Sequence, residues 1–554
     1  MHTRRSSPAG SAQDPNPNPS GQGGPGARVR SRNRRRAGMI GALVGVAALL
    51  ASACTSGGST HAGSGPAEAG PAEAGLVALP RSTPAALTPY YTQKLTWRSC
   101  GVPGFQCATM RAPLDYTKPE AGNTQLAVAR KKATGPGKPL GSLLVNPGGP
   151  GGSAIGYLQQ YAGIGYPTDV RARYDMVAVD PRGVARSEPV ECLSGRAMDA
   201  YTQTDFTPDD AKETAELVEA QKKFAEGCGK DAPGLLRHVS TAEAARDMDI
   251  LRSVLGDEKL TYVGASYGTF LGATYAGLFP DRVGRLVLDG AMDPSLPARR
   301  MNLDQTAGFE TAFRAFAKDC VRQRDCPLGS RSSEVGHNLK AFFDKLDAQP
   351  IPTGDPDGRE LGESLATTGV IAAMYDEGAW EALRDGLTSA MRENDGAGLL
   401  ALSDSYYERD GDGRYTNLMF ANAAVNCVDL PPAFSTPDEV RRSLPAFEKA
   451  SPVFGEGLAW ATLNCAYWPV AATGEPHRIE AKGAAPIVVV GTTRDPATPY
   501  RWAQALSRQL SSSRLLTYDG DGHTAYGRGS DCIDDTINAY LLRGTPPVGG
   551  KRCS

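Results

Sequence analysis

Histidine is scarce in this 554-residue chain, which has only six. Its histidines and eleven cysteines show no C-x-x-C or H-x-x-x-H spacing. Such spacings are typical of protein zinc sites, so the sequence predicts no metal site. Residues 1–53 hold eight of the 59 basic residues but only one of the 61 acidic residues. The rest of the chain is therefore acidic, which argues against a nucleic-acid partner.

The first 53 residues are predicted to be an export signal of the lipoprotein type. Eight arginines precede an apolar run, Ala37–Ala53, that ends in small residues just before Cys54. This is the order of an export signal, and the run is short for a membrane-spanning helix. Leu50–Cys54 resembles a bacterial lipobox, so the chain is expected to be lipid-anchored through Cys54 on the outer face of the cell membrane, or else secreted. Residues 54–92, rich in Gly, Ala, Pro and Ser, are predicted to be a flexible linker.

The cysteines indicate an exported, disulfide-bonded protein. With Cys54 set aside, ten of the eleven cysteines remain, and most stand in pairs that are close in sequence. In an exported chain such a set is typical of disulfide bonds. The predicted pairing is local, joining Cys100 to Cys107, Cys192 to Cys228, Cys320 to Cys326, Cys427 to Cys465 and Cys532 to Cys553.

Short buried strands alternate with helices in two parts of the chain. The clearest strands are Leu143–Val145, Tyr174–Val179, Leu260–Val263, Arg285–Leu288, Pro486–Val490 and Arg514–Tyr518. This alternation predicts a mostly parallel sheet with helices on both faces, and functional groups on the loops that follow the strands. Between Ser295 and His477 apolar residues recur at helical spacing instead, which predicts a large, mostly helical insertion.

A serine stands at the apex of a predicted strand–turn–helix in Lys259–Pro280. The strand ends at Gly264, Ser266 follows, and a helix-compatible segment begins at Gly268. A turn this sharp leaves no room for side chains two residues before and after its apex, and it lifts the hydroxyl clear of the sheet. Ser266 is therefore the predicted nucleophile, and a serine nucleophile needs a base.

One histidine is well placed to be that base. His523 alone stands on a glycine-rich loop directly after a predicted strand, and a histidine titrates near neutral pH. The base needs an acid that fixes its tautomer. Asp495, which follows the preceding strand, is the leading candidate, and Asp289 and Asp293 are the alternatives.

A glycine-rich loop follows the strand at Leu143–Val145. A phosphate-binding loop would continue with Lys-Ser or Lys-Thr, and neither follows these glycines. An oxyanion-hole loop instead needs glycines whose N–H groups can turn toward a developing negative charge. The second interpretation fits the segment Gly141–Ser153.

Five motifs between about Trp97 and Cys553 occur together. They are Gly148-Gly149-Pro150-Gly151-Gly152-Ser153, Asp180-x-Arg182-Gly183-x-Ala185-x-Ser187, Gly264-x-Ser266-Tyr267-Gly268, Asp495-x-x-Thr498-Pro499 and Gly522-His523. In combination they resemble the α/β-hydrolase superfamily. More narrowly, they resemble the secreted tripeptidyl aminopeptidase and proline iminopeptidase-like family of actinobacteria.

The resemblance implies an α/β-hydrolase catalytic domain formed by residues 93–294 and 478–554. It also implies a helical, substrate-selecting cap, residues 295–477, inserted after the strand that follows the nucleophile helix. The expected activity is that of an extracytoplasmic serine peptidase that releases short peptides, above all tripeptides, from the free N-termini of peptide or protein substrates. The alternatives are a surface-anchored endoprotease or an esterase on the same fold, and more remotely a catalytically dead binding protein.

The resemblance also assigns roles to individual residues, and no metal or organic cofactor is needed for them. It makes Ser266 the nucleophile, Asp495 the acid and His523 the base. The backbone N–H groups of Gly149 and Tyr267 would form the oxyanion hole, with Gly148 as the alternative to Gly149.

An aminopeptidase must in addition hold the α-ammonium group of its substrate, and a carboxylate from the cap is the usual partner. The candidates for this role are Glu377, Asp376 and Asp429.

Overall fold

The computed structural model describes residues 75–554. The predicted export signal, Cys54 and the first part of the predicted linker lie outside the described residues. Within residues 75–554, no helix has both the length and the apolar character needed to cross a membrane.

The described chain contains one sheet of ten strands, in the order β1-β2-β3-β5-β4-β6-β7-β8-β9-β10. Strands β1 to β3 are antiparallel at one edge, and all the pairs from β5 and β4 across to β10 are parallel. The predicted parallel sheet is thus confirmed. The strands are β1 Arg98–Ser99, β2 Gln106–Pro113, β3 Asn123–Lys131, β4 Ser142–Asn146, β5 Asp175–Val179, β6 Leu260–Ala265, β7 Val283–Asp289, β8 Ile487–Arg494, β9 Ser513–Asp521 and β10 Lys551–Cys553.

The α-helices cover both faces of the sheet and fill the interval between β7 and β8. They are α1 Thr88–Tyr91, α2 Ala154–Tyr157, α3 Gly163–Gly165, α4 Thr168–Arg173, α5 Gly195–Thr202, α6 Ala211–Asp231, α7 Thr241–Val254, α8 Tyr267–Leu278, α9 Ala298–Cys320, α10 Ser332–Ala348, α11 Glu363–Met374, α12 Trp380–Thr388, α13 Ala397–Tyr407, α14 Leu418–Asp429, α15 Pro437–Ala450, α16 Gly455–Ala461, α17 Tyr500–Gln509 and α18 Asp531–Arg543. Helices α9 to α16 lie in the segment for which the sequence predicts a helical insertion.

Alternate side chains of the central strands face opposite layers of helices. Val263 and Val287 pack in the same cluster as residues of α18, whereas Tyr262 and Leu286 pack with α7 and α8. Both sets of alternating side chains are buried under helices. This is why the sequences of these strands are almost continuously apolar.

Two strands extend beyond their predicted ends. The sequence predicts that β8 stops at Val490, but it runs to Arg494, because Gly491, Thr492 and Arg494 continue to pair with β9. Strand β9 likewise runs past Tyr518 to Asp521. The predicted loop after Val490 is therefore strand, and Asp495 follows it directly.

Helix α8 packs closely on side chains of the sheet. All twelve of its residues are buried. A Cβ placed on Gly272 would lie 2.6 Å from the ring of Tyr262 and 2.7 Å from Leu288. The small residues of α8 thus bring the helix that follows Ser266 close to strands β6 and β7.

Helix α6 precedes the nucleophile in sequence but packs on helices of the later insertion. Leu217 on α6 shares a buried cluster with Val440 and Phe447 of α15 and with Trp460 of α16. The helical layer over the carboxyl ends of the strands is therefore built from two separate segments of the chain.

Five disulfide bonds join the ten cysteines of the described region, and they are the five predicted pairs. Disulfide bonds persist in oxidising compartments. They indicate that the folded part of the chain is extracytoplasmic.

Candidate active site

Ser266 occupies a strained turn between β6 and α8. Its φ of 56° and ψ of −124° lie outside the usual region for a residue with a side chain. A Cβ on Gly264 would lie 2.3 Å from Gly268 O, and one on Gly268 would lie 2.8 Å from Asn146 O. Both positions therefore require glycine, as expected for a turn that presents its apex serine to a base.

Asp495 and His523 form a buried acid–base pair. Both carboxylate oxygens of Asp495 lie 2.9 Å from His523 Nδ1. The same carboxylate accepts backbone N–H bonds from Ala497, Thr498 and Thr524. These bonds fix an acceptor next to Nδ1, so Nδ1 carries the proton and Nε2 is left as the basic nitrogen. His523 Nε2 is buried and has no hydrogen-bond partner within residues 75–554.

The runner-up acid, Asp289, has a different role in the structure. Its carboxylate accepts the N–H groups of Ala525 and Tyr526, on the loop that carries His523. Its backbone oxygen accepts the N–H of Ser266 at 2.8 Å. Burial raises the pKa of Asp289 above its ordinary value. Asp289 therefore connects the nucleophile turn to the histidine loop, while Asp495 binds the imidazole.

The glycine-rich loop after β4 lies directly on the nucleophile turn. A Cβ on Gly148, where φ is 95°, would lie 2.5 Å from Ala265 O and 2.8 Å from Tyr267 N. The N–H of Gly148 already donates to Asn146 Oδ1 at 2.8 Å, which leaves Gly149 as the donor from this loop. Tyr267 is the first residue of α8, and the N–H groups of a first helical turn have no partner within the helix. The geometry thus favours Gly149 and Tyr267 as oxyanion donors.

The helical layer contacts the catalytic loops at two places. Asn422 on α14 donates from Nδ2 to Pro150 O at 3.0 Å, beside the expected oxyanion hole. Tyr375, directly after α11, accepts the N–H of His523 at 2.9 Å, and its ring lies edge-on to the imidazole with centroids 5.5 Å apart.

A cleft that is partly open to solvent lies between these contacts and α5, α6, α11, α13, α14 and α16. Six aromatic side chains line part of its wall: Tyr201, Phe206, Phe224, Tyr406, Tyr407 and Phe454. Asn422 lines the cleft, and the ring of Tyr406 packs on that of Tyr375 at 6.2 Å. Asn422 and Tyr406 therefore connect the wall of the cleft to the glycine loop and, through Tyr375, to the histidine.

One acidic side chain, Glu363, lines this cleft. It accepts a hydrogen bond from Thr207 Oγ1 at 2.8 Å, and its carboxylate lies within 4.8 Å of those of Asp205 and Asp347. Burial raises the pKa of Glu363, and the charges of Asp347 and Asp205 add to the shift, although Lys340 opposes it. A cation in the cleft would relieve this repulsion. No sequence pattern singles out Glu363, because the cleft joins segments more than a hundred residues apart.

The three acids that the sequence suggests for the substrate amine lie elsewhere. Asp429 uses both carboxylate oxygens to bind Thr241, and Asp376 pairs with Arg528 Nη2 at 3.0 Å. Glu377 is exposed to solvent. Within the described residues, none of the three lines the cleft.

Among the described residues, two groups of side chains have the composition of a cation site. One is the acidic group beside the cleft, and the other comprises Asp115, His238 and Glu243. In the second group, His238 Nδ1 is already bound to Glu243 at 3.0 Å. Neither group contains a residue of the acid–base pair.

The parallel sheet, the strained serine turn and the buried acid–base pair define a serine hydrolase of the α/β-hydrolase type. A family model described as "TAP-like protein" matches residues 451–553, which include Asp495 and His523. Serine protease Hip1 of Mycobacterium tuberculosis is 40% identical over 493 residues, covering 84% of this chain and 92% of that protein. Tripeptidyl aminopeptidase of Streptomyces lividans is 31% identical over 474 residues, covering 83% and 86%.

The chain therefore belongs to the family of TAP-like serine peptidases that includes these proteins, and it is a serine hydrolase. Another relative, carboxylesterase B of Mycobacterium tuberculosis, is 38% identical and covers 85% of this chain and 92% of that protein. Among solved structures, esterase E22 covers 79% of this chain and 100% of its own at 14% identity, with a TM-score of 0.36. No conclusion rests on a structural likeness of that size.

Proposed function

We propose that the protein removes short peptides, tripeptides above all, from the free N-termini of peptides outside the cell. The observation that carries this proposal is a cleft that is connected to the catalytic loops through Asn422, Tyr406 and Tyr375 and has the carboxylate of Glu363 in its wall. The cleft is partly open to solvent, so a peptide can enter it from outside.

The site residues act in two half-reactions. His523 Nε2 takes the proton of Ser266 as the serine oxygen attacks the scissile carbonyl carbon, and the N–H groups of Gly149 and Tyr267 stabilise the oxyanion. The C–N bond then breaks, the imidazolium protonates the leaving amine, and the N-terminal fragment stays as an ester on Ser266. His523 next deprotonates a water molecule, which hydrolyses the ester and frees the fragment.

Glu363 is the proposed partner of the substrate's α-ammonium group, in place of the three acids expected from the sequence. Glu363→Gln should raise KM for a free tripeptide p-nitroanilide about 10–100-fold with little change in kcat. The reason is that a hydrogen bond to a charged group contributes about 1.5–3 kcal/mol. The N-acetylated tripeptide lacks the ammonium group, so its KM should not change.

Glu377→Gln is the matched control, because it removes an exposed acid outside the cleft, and its KM should stay at the wild-type value. Equal KM values for the free and acetylated substrates in the wild-type enzyme would refute the exopeptidase proposal. Short acyl esters belong in the same panel, because one relative is named a carboxylesterase. Faster turnover of these esters than of any peptide would favour the esterase alternative.

We further propose that the extracytoplasmic protein is attached to the membrane by a lipid on Cys54. This proposal rests on the lipobox-like sequence alone. The full-length protein expressed in an actinobacterial host should enter the detergent phase on phase separation. The Cys54→Ala protein should either stay in the aqueous phase or accumulate as an uncleaved precursor. Aqueous partitioning of the wild-type protein would argue against the anchor and leave secretion.

A further inference from the structure

Asp429 is a buried acid that the acid–base pair does not use. It is the last residue of α14 and is 9% exposed. Its Oδ1 accepts the backbone N–H of Thr241 at 2.7 Å, and its Oδ2 accepts the hydroxyl of Thr241 at 2.5 Å. Within residues 75–554 this buried carboxylate forms hydrogen bonds with a single residue, which lies 188 positions away in sequence, and it therefore requires an explanation.

The hydrogen-bond chain continues from Thr241 to the residue after the nucleophile. Thr241 Oγ1 lies 2.5 Å from the hydroxyl of Tyr267. Because Thr241 gives its only hydroxyl proton to the ionised carboxylate, Tyr267 must be the donor in this second bond. The chain therefore runs in one direction, from Tyr267 through Thr241 to Asp429, and joins the first residues of α8 and α7 to the last residue of α14.

We propose that Asp429 is a positioning residue for the oxyanion hole, acting through Thr241 on Tyr267. The inference rests on the proposed acyl transfer at Ser266, in which the backbone N–H of Tyr267 is an oxyanion donor. The hydrogen bond between the Tyr267 hydroxyl and Thr241 holds the far end of that same residue. This bond therefore controls the direction in which the backbone N–H of Tyr267 points. A catalytic donor that moves by about 1 Å can cost up to about 100-fold in rate.

The ionisation state of Asp429 should set the direction of the hydrogen bonds that hold the Tyr267 hydroxyl. Burial raises the pKa of Asp429 to about 7, against the opposing hydrogen bonds from Thr241 and with a smaller contribution from the charge of Glu243 on α7. Glu243 is itself bound to His238 and lies 3.7 Å from Arg182. The other titratable group that faces Asp429 is the hydroxyl of Tyr267 on α8, whose own pKa burial raises far above neutrality.

The direction of the pH effect follows from the raised pKa. Above about pH 7 the carboxylate is ionised and accepts both bonds from Thr241. As the pH falls through this value, Asp429 gains a proton and donates to Thr241 Oγ1, which then donates to Tyr267. The hydroxyl proton of Tyr267 is left without its acceptor in a buried site, which is unfavourable. Protonation of Asp429 should therefore lower activity as the pH falls below about 7.

Asp429→Asn tests the proposal, because the amide NH₂ donates to Thr241 and so imposes the reversed chain at every pH. In enzyme whose active sites are titrated with a fluorophosphonate, kcat should fall about tenfold and KM should change less than about twofold. The wild-type kcat/KM should exceed that of the variant about tenfold above pH 7, and this ratio should fall toward 1 as the pH drops below 7, because the wild-type chain then reverses as well.

Three further substitutions, one at Tyr267 and two at Thr241, separate positioning from simple loss of structure. Tyr267→Phe removes only the first donor, and it should lower kcat by the same factor as Asp429→Asn. The two changes should be non-additive in the double variant, because they break one chain. Thr241→Ser keeps the hydroxyl and should keep the wild-type kcat. Thr241→Val removes the hydroxyl, and its kcat should fall by the same factor as that of Tyr267→Phe.

The proposal is overturned if Tyr267→Phe and Asp429→Asn both retain the wild-type kcat. It is also overturned if kcat falls in both but the effects multiply and the ratio of wild-type to Asp429→Asn kcat/KM does not change with pH, since that pattern indicates only local damage. If Asp429→Asn does not fold, Tyr267→Phe and the two Thr241 variants give the same decision.

Discussion

Replacing Ser266 with alanine should lower kcat for a free tripeptide p-nitroanilide about 10⁶-fold. The expected loss is this large because Ser266 alone stands on the strained turn between β6 and α8, next to the oxyanion donors. Removing its oxygen removes the acyl-enzyme route altogether, and only slow attack by water remains. Steady-state kinetics measures the loss, with the concentration of the variant taken from its absorbance because it has no serine that a fluorophosphonate could titrate.

The fold should survive this change, since alanine is smaller than serine and the turn depends on Gly264 and Gly268. The melting temperature of Ser266→Ala should therefore stay within a few degrees of the wild-type value. A folded variant with wild-type turnover would exclude Ser266 as the nucleophile.

Replacing Asp495 with asparagine should lower kcat about 10⁴-fold near neutral pH. An asparagine NH₂ group beside His523 Nδ1 cannot accept its proton, so the imidazole would adopt the tautomer with the proton on Nε2. That nitrogen could then no longer take the proton of Ser266. Steady-state kinetics on the same peptide substrate measures the change.

Asp289→Asn is the matched comparison, because both acids are buried at the ends of neighbouring strands. The oxygen of an asparagine can still accept the N–H groups of Ala525 and Tyr526, so kcat should fall no more than about tenfold. A larger loss in Asp289→Asn than in Asp495→Asn would mean that Asp289 is the acid of the pair.

The catalytic loops could be predicted from the sequence because their signals are local. Ser266, Asp495 and His523 each follow a short apolar strand, and parallel strands bring such loops to one edge of the sheet. Glycine two residues to either side of Ser266 reflects the steric demand of the turn directly in the sequence. Four of the five disulfide bonds, likewise, join cysteines at most 36 residues apart.

The cleft could not be predicted, because no local pattern marks it. Tyr201 and Phe224 precede the nucleophile, Glu363 begins α11, and Phe454 lies close to α16, so the wall forms only when these segments pack together. The same holds for Asp429, whose partner Thr241 lies 188 residues away. Its position in the helical insertion makes Asp429 a candidate for the substrate amine, but only the folded chain shows that both its oxygens are already bound.

The lengths of the strands depend on distant partners for a related reason. Gly491-Thr492-Thr493 has the composition of a turn, which is why the sequence predicts that β8 ends at Val490. In the folded chain, pairing with β9 continues to Arg494, whose guanidinium binds Asp521 at 2.7 Å. Pairing with the neighbouring strand β9 outweighs the turn preference of this segment, and the sequence of one segment alone does not show that pairing.

Ser266 is the residue that carries the acyl group in the proposed reaction. Peptide mapping by mass spectrometry after reaction with a fluorophosphonate, combined with residual activity toward a free tripeptide p-nitroanilide, tests this assignment. We expect one adduct per chain, on the peptide that contains Ser266, formed in step with the loss of activity and slowed by the tripeptide substrate. Inactivation with the adduct on any other residue, or full activity with Ser266 modified, would refute it.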